Sequence, residues 1–262
     1  MEQRLDQYLV EQLHVSSRSK AQDAIKEGRV TINGKVIYKN AYLVKSDDHV
    51  ELKEEDLAFA SRAGFKLYHA LINFHIQLQD RIVLDIGAST GGFTDVCLHH
   101  GASYVYAVDV GHDQLIERLK QDIRVCNMEG INCRFLKPDM FDKKPNFACI
   151  DVSFISLKLI IPSLLSVLDD TFDIVALIKP QFEAGYQEVG KKGIVKDYKV
   201  HIRILQEMVD YITSLGLYVH HLEVSSILGR DGNKEFIMHI KKEPIQRVFL
   251  YKQIAQEDVK KR

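Results

Sequence analysis

The chain has 262 residues, 46% of them hydrophobic, and a formal net charge of -1. That is enough apolar material for one full α/β domain and a small companion, which excludes a chain without a core, while the near-zero net charge says nothing about partners. Four cysteines (Cys97, Cys126, Cys133, Cys149) with no C-x-x-C pair argue against a disulfide framework or a metal site, and no apolar run approaches the ~18 residues of a membrane helix. A soluble, cytoplasmic protein is expected.

The charge is uneven. Residues 1–46 hold eight Lys or Arg against five acids, whereas 47–56 hold six acids and one Lys. Leu5, Leu9 and Leu13 at helical spacing predict a helix over 2–13, and a second amphipathic helix runs from Ser19 to Glu27. Gly28 ends it. Val30-Thr31-Ile32, then Asn33-Gly34, then Val36-Ile37 predict a tight hairpin, and His49 to Leu52 a further strand. Arg4, Arg18, Lys20 and Arg29 stand at helix ends and loops of this frame, where phosphates could be met; a solvated surface of ordinary charge is the other possibility.

The acidic run Lys53 to Asp56 and residues 57–61 predict a linker. A short helix carrying Lys66 follows from near Ser61. Then come the strand Ile82–Ile86, containing Asp85, and the loop Gly87, Ala88, Ser89, Thr90, Gly91, Gly92, which runs into Phe93. A sharp turn that lets a ligand approach closely has no room for Cβ atoms, and a helix N-terminus offers unpaired N–H groups. A nucleoside cofactor is the first expectation, against a tight turn with no ligand or a nicotinamide dinucleotide, whose G-x-G-x-x-G spacing is absent.

Further along, alternation predicts a helix over 92–100, a strand 104–108 ending in Asp109, a helix 112–120 and a strand 123–126. After them are expected strand 147–150 ending in Asp151, helix 156–167, and strand 173–178 ending in Lys179. A loop 180–196, a helix 198–215 and closing strands 217–225 and 235–241 complete the series. This is an α/β pattern with a mostly parallel sheet. Ligands of such sheets bind beyond the carboxyl ends of the strands, which singles out Asp85, Asp109, Asp151 and Lys179. Asp109 could accept both hydrogen bonds of a ribose diol or simply cap the next turn. Asp139 could meet an adenine amine or cap its own loop.

Order adds what composition cannot. RLDQYL, SSRSKAQDAIKEGRVTINGKVI and KSDDHVEL together resemble the RNA-binding domain named after ribosomal small-subunit protein four. Lys66, Asp151, Lys179 and Glu235 have the chain order and strand-end placement of the Lys-Asp-Lys-Glu tetrad of ribose 2'-O-methyltransferases. Finally SRAGFKL, DIGASTGGFTD, YAVDVGHDQL, DVSFISL, LIKPQFE and GNKEF resemble the TlyA family, known both as haemolysins and as FtsJ-like ribosomal RNA methyltransferases. One departure is Ala63, where a second glycine is expected.

The resemblance implies an α+β RNA-binding domain over 1–56, a linker 57–61, a Rossmann-like class I methyltransferase domain over 62–245 and a tail 246–262. It implies S-adenosylmethionine as donor and a cytidine ribose of ribosomal RNA, presented by ribosomal subunits, as acceptor. Lys179 would be the base, Lys66 a second cation that lowers its pKa, and Asp151 and Glu235 the carboxylates that orient both ammonium groups. An RNA-binding assembly factor with a vestigial cofactor site is the alternative. Membrane lysis is disfavoured, because the best apolar segment, Ile155 to Leu168, is interrupted by Lys158 and Pro162.

Overall fold

A computed structural model describes residues 3–13, 15, 18–26, 28–52, 59–191, 193–229 and 232–259, without the side chains of residues 19, 20 and 23. The chain divides into two units, Met1–Ala58 and Phe59–Arg262.

In the first unit, β1 (Gln3–Arg4) precedes α1 (Leu5–Glu11) and α2 (Arg18–Lys26), followed by β2 (Val30–Ile32), β3 (Lys35–Val36), β4 (Leu43–Val44) and β5 (Val50–Leu52). The helix expected over 2–13 is therefore shorter. Gln3 and Arg4 pair antiparallel with Val44 and Leu43 instead. Asn33 and Gly34 both take positive φ, 52° and 76°, the backbone a two-residue hairpin needs between β2 and β3. Leu5, Leu9, Ala21, Ala24, Ile25, Val30, Ile32 and Val44 form the core. The Ser16-Ser17 break, Lys53 to Asp56 and the first part of the expected linker lie outside the described residues.

Buried in this unit is Asp6, which joins the helices. Its carboxylate accepts from Arg4 (3.0 and 3.1 Å), Arg18 (3.0 Å) and Gln22 (2.9 Å). Burial alone would raise the Asp6 carboxyl, but these hydrogen bonds outweigh it and hold the group well below the usual carboxylate range.

The second unit contains α3 (Gly64–Asn73), β6 (Ile82–Ile86), α4 (Gly92–His99), β7 (Tyr104–Asp109), α5 (Glu117–Lys120), β8 (Val125–Glu129) and β9 (Phe147–Ile150). Then come α6 (Ile161–Leu165), β10 (Asp173–Ile178), α7 (Pro180–Glu183), α8 (Tyr198–Ser214), β11 (Tyr218–Val224), β12 (Phe236–Lys241) and α9 (Tyr251–Gln256). Seven strands make one sheet in the order β11-β12-β10-β9-β6-β7-β8, in which only β12 runs antiparallel to its neighbours. The mostly parallel α/β sheet expected from the alternation is present. The chain winds outward from β6 through β7 and β8, then returns to β9 on the other side, so the switch point lies between β6 and β9.

Side chains alternate across the sheet with period two. Ile174, Ala176 and Ile178 face one core with Leu84, Ile86, Ala148 and Ile150, whereas Val175 and Leu177 face the other with Val83, Phe147, Cys149 and Ile237. That second core is capped by Leu67, Ala70 and Leu71 of α3 and by Phe93, Val96 and Cys97 of α4. Continued one residue past each strand, the alternation sends Asp151, Lys179 and Glu235 to the α3 side.

Two expected helices are reduced, and in each a distant carboxylate accepts from the backbone where the helix was expected to open. Over 112–120 only α5 is helical. The N–H groups of Asp113, Gln114 and Leu115 all donate to Glu129 (2.8–2.9 Å), and Asp113 has φ 54°. Over 156–167 a 3-10 turn at Leu157–Leu159 precedes α6, with Glu183 accepting from the Leu157 N–H (2.8 Å) and the Ser156 hydroxyl (2.6 Å). The strand expected at 123–126 is β8, two residues later. The stretch expected as a tail contains α9, with Tyr251 and Ile254 packed on the sheet's first core.

Because Asp6 is held ionised by the fold, its contribution is complete above the ordinary carboxylate pKa of about 4 and fades as pH falls toward its depressed value. Asp6→Ala is expected to lower the stability of the N-terminal unit by about 1.5–3 kcal/mol. Hydrogen exchange of the full chain checks this: α1 and α2 amides should exchange faster while β6 and β10 amides do not change. Equal loss of protection in both units would contradict it.

Candidate active site

The loop after β6 is shaped by protein neighbours. Gly87 (φ 84°) has its α-carbon against the Asp151 carbonyl, where a Cβ would stand 2.5 Å from the oxygen. Gly91 (φ 97°) faces Leu115 and Leu119, and Gly92 faces Ser61 and Gly64 at the start of α3. The glycines expected to admit a ligand thus admit neighbouring chain, and what the loop offers a ligand is backbone between them. Ser89, exposed and at φ 48°, donates its N–H to Asp109 (2.8 Å). Gly87 and Ala88 donate to the Val108 carbonyl (2.8 and 3.1 Å).

Several residues assigned to the cofactor act from behind the loop. Asp85 is fully buried, accepts from Thr94 Oγ1 (2.6 Å) and lies 3.6 Å from Cys149 Sγ. Its carboxylate therefore anchors α4 from the core. The Phe93 ring and Ala88 are likewise buried in the second core, leaving only their backbone for a ligand. Asp109 is half-buried at the end of β7. Its two oxygens accept from Ser89 N–H and Gly111 N–H (2.7 Å), which uses one lone pair on each and leaves another for a ribose diol. The donor set fits a nucleoside. Asp139 stands exposed on a 3-10 turn, Pro138–Met140, in the stretch that leads to β9. Among the described residues no cluster of three His, Cys, Asp or Glu is arranged to hold a metal, and all four cysteines are free thiols.

Across the switch point the four tetrad residues converge. Lys66 Nζ donates to Glu235 Oε2 at 2.6 Å although 169 positions separate them, and Lys179 Nζ lies 2.6 Å from Asp151 Oδ1. Lys66 and Glu235 are buried, at 8% and 2% exposure. Burial would depress the Lys66 ammonium, but the charges of Asp151 and then Glu235 outweigh that cost and raise it. Lys66 is thus a fixed cation. Gly229 makes room for the Glu235 carboxylate, because a Cβ there would stand 2.3 Å from Oε1.

Two neighbours of the tetrad escape the sequence reading. Ser153 Oγ accepts from Lys179 Nζ at 3.1 Å, and Phe154 is 91% exposed with φ 64°. Its ring pairs with Phe182 of α7 (centroids 5.0 Å apart). A bulky residue at positive φ is rare, and no periodicity marks it in advance.

The basic residues proposed for RNA fall out unevenly. Arg4 and Arg18 spend part of their guanidinium donors on Asp6 yet keep side-chain exposures of 40% and 52%. Arg29 is half-buried after α2, and the Lys20 side chain lies outside those described.

Residues 59–242 match the FtsJ-like methyltransferase family and residues 3–50 the S4 domain. YqxC of Bacillus subtilis is 46% identical over 91% of this chain and 85% of its own. The 16S/23S rRNA (cytidine-2'-O)-methyltransferase TlyA of Mycobacterium tuberculosis is 36% identical over 91% and 89%. A solved Streptococcus thermophilus structure that carries a hemolysin name is 40% identical over 97% of this chain and 94% of that one, with a TM-score of 0.78. Among the described residues no helix is long and apolar enough to cross a membrane.

Burial pushes the Asp85 carboxyl up to about 7, only partly offset by Thr94 and Cys149. A raised acid costs stability progressively as pH climbs from its unfolded value of about 4 through its folded one. Asp85→Asn is therefore expected to raise the thermal midpoint by a margin that widens between pH 4 and 7 and is level above. A margin independent of pH would contradict the assignment.

Proposed function

This chain belongs to the TlyA group of FtsJ-like methyltransferases, and from that membership we propose that it methylates the ribose 2'-hydroxyl of a cytidine in ribosomal RNA, using S-adenosylmethionine. The observation that carries the reading is the convergence of Lys66, Asp151, Lys179 and Glu235, from α3, β9, β10 and β12, beside the loop after β6.

S-adenosylmethionine would supply an activated methyl group on a sulfonium. Asp109 would hold its ribose diol, the backbone of residues 87–93 its methionine end and Asp139 its adenine amine. The protein's remaining task is to hold the acceptor hydroxyl in line and take its proton. Lys179 Nζ, after giving up its own proton to solvent so that its lone pair is free, suits that role better than Lys66. Lys66 is kept cationic by two carboxylates, whereas Lys179 ends a strand at the ligand edge with Asp151 and Ser153 fixing its direction. Lys66 then balances the charge on Asp151 and Glu235. Phe154 offers an exposed ring on which an unstacked base could lie, the usual device for holding a nucleotide out of an RNA strand. The S4 domain over 3–50 would carry the affinity for structured RNA, and intact ribosomal subunits would be its partners.

Lys179→Ala is expected to reduce methyl transfer to ribosomal subunits by about a hundredfold or more while leaving S-adenosylhomocysteine binding near wild type by calorimetry. If affinity fell as far as turnover, Lys179 would be a cofactor ligand and the assignment would be wrong. Wild-type protein that binds the cofactor but transfers no methyl to either subunit favours the assembly-factor reading.

A further inference from the structure

Apolar packing holds α3 on the sheet, but such contact is non-directional and leaves a helix free to rotate and slide by fractions of a turn. The helix has no side-chain cap to fix it, since its N-cap position is Ala63 in αR conformation. What fixes it is a row of polar contacts along one face. Lys66, His69 and Asn73 stand at i, i+3 and i+7, hence one above another. Lys66 donates to Glu235 (2.6 Å), His69 Nδ1 lies 2.7 Å from Ser226 Oγ, and Asn73 Nδ2 donates to Glu223 Oε1 (2.8 Å). All three partners belong to the β11–β12 hairpin, and the Ser225 N–H donates to the Glu235 carbonyl (2.8 Å), joining the hairpin's two arms beside the catalytic carboxylate.

The three contacts differ in strength. Asn73–Glu223 is exposed, so water competes for it, while His69–Ser226 is partly buried. His69 also lines a polar cavity of about 120 Å³ together with Asn73, Glu223, Ser225, Ser226 and Glu257, and the Ser225 hydroxyl is fully buried there with no hydrogen-bond partner among the described residues. A polar cavity of that size holds water readily, so loss of the His69 bond would let water compete at the foot of α3, one turn from Lys66.

We propose that His69, through its Nδ1 bond to Ser226, is a positioning residue that sets the rotation and height of α3 so that Lys66 stands between Glu235 and Asp151. The inference rests on the methyltransferase reading above. Histidine suits the role because its ring has only two side-chain torsions, against the four that Lys66 must fix to reach Glu235.

The test uses the full chain, ribosomal subunits and tritiated S-adenosylmethionine. His69→Ala and Ser226→Ala are expected to lower kcat about tenfold to a hundredfold, with KM for the cofactor changed by no more than about twofold and the thermal midpoint lowered by only a few degrees. His69→Asn, whose amide can stand near the Nδ1 position, should recover most of the rate, and His69→Gln, whose amide reaches toward Nε2, should not. A readout independent of turnover is reductive methylation of lysines followed by mass spectrometry: Lys66 should be labelled faster in His69→Ala but not in Asn73→Ala.

Wild-type protein that transfers no methyl would overturn the methyltransferase reading, while the Lys66 labelling still decides the positioning claim. Unchanged Lys66 labelling in His69→Ala would overturn that claim, as would equal recovery by Asn and Gln or a parallel fall in kcat, cofactor affinity and thermal midpoint.

Discussion

Two ammonium groups and two carboxylates can leave water only as charge-balanced pairs, and the methyltransferase unit is built around that constraint. Lys66–Glu235 and Lys179–Asp151 are each 2.6 Å pairs, and removing any one partner strands a charge at the edge of the sheet. To close both pairs, α3 must lie over β12, and β9 and β10 must end level with each other beside the switch point. Topology supplies the second condition, since parallel neighbours terminate on the same edge. The polar row along α3 supplies the first.

The parity of the sheet explains why the pairs can form. Asp151, Lys179 and Glu235 each sit one residue outside a strand, on the side that α3 and α4 cover, and Gly87 and Gly229 remove the Cβ atoms that would obstruct Asp151 and Glu235. The loop after β6 is therefore constrained from two directions. Its glycines accommodate Asp151, Leu119 and Ser61, and its exposed Ser89 is tied by its N–H to the Asp109 carboxylate, the group proposed to meet a ribose diol. Asp85 serves the same loop from the core, bonded to Thr94, in a role that a strand-end position alone does not reveal.

Much of this was legible in the sequence where local chemistry and tertiary demand agree. Asn33-Gly34 gave the hairpin, the runs 147–150 and 173–178 gave β9 and β10 to the residue, and the polar residues ending strands marked the ligand edge. The tetrad's chain order was visible through family resemblance, but its pairing was not, because Lys66 and Glu235 are joined only by folding. Illegible features share one cause: a distant side chain overrides local propensity. Glu129 holds three amides where a helix was expected at 112, Glu183 holds one at 157 ahead of the Pro162 break, and Asp6 gathers Arg4 and Arg18 that composition alone offers to phosphate. Phe154 belongs with them, since positive φ at an aromatic residue is imposed by surroundings rather than written in its neighbours.

The proposed reaction has this charge-balanced edge delivering a methyl group to a ribose oxygen. Nuclease digestion and mass spectrometry of ribosomal RNA, taken from subunits incubated with the protein and labelled S-adenosylmethionine, decide it. Label is expected in 2'-O-methylcytidine, on the sugar fragment after loss of the base. Label on the base fragment, or none in RNA while the protein binds the cofactor, would contradict it.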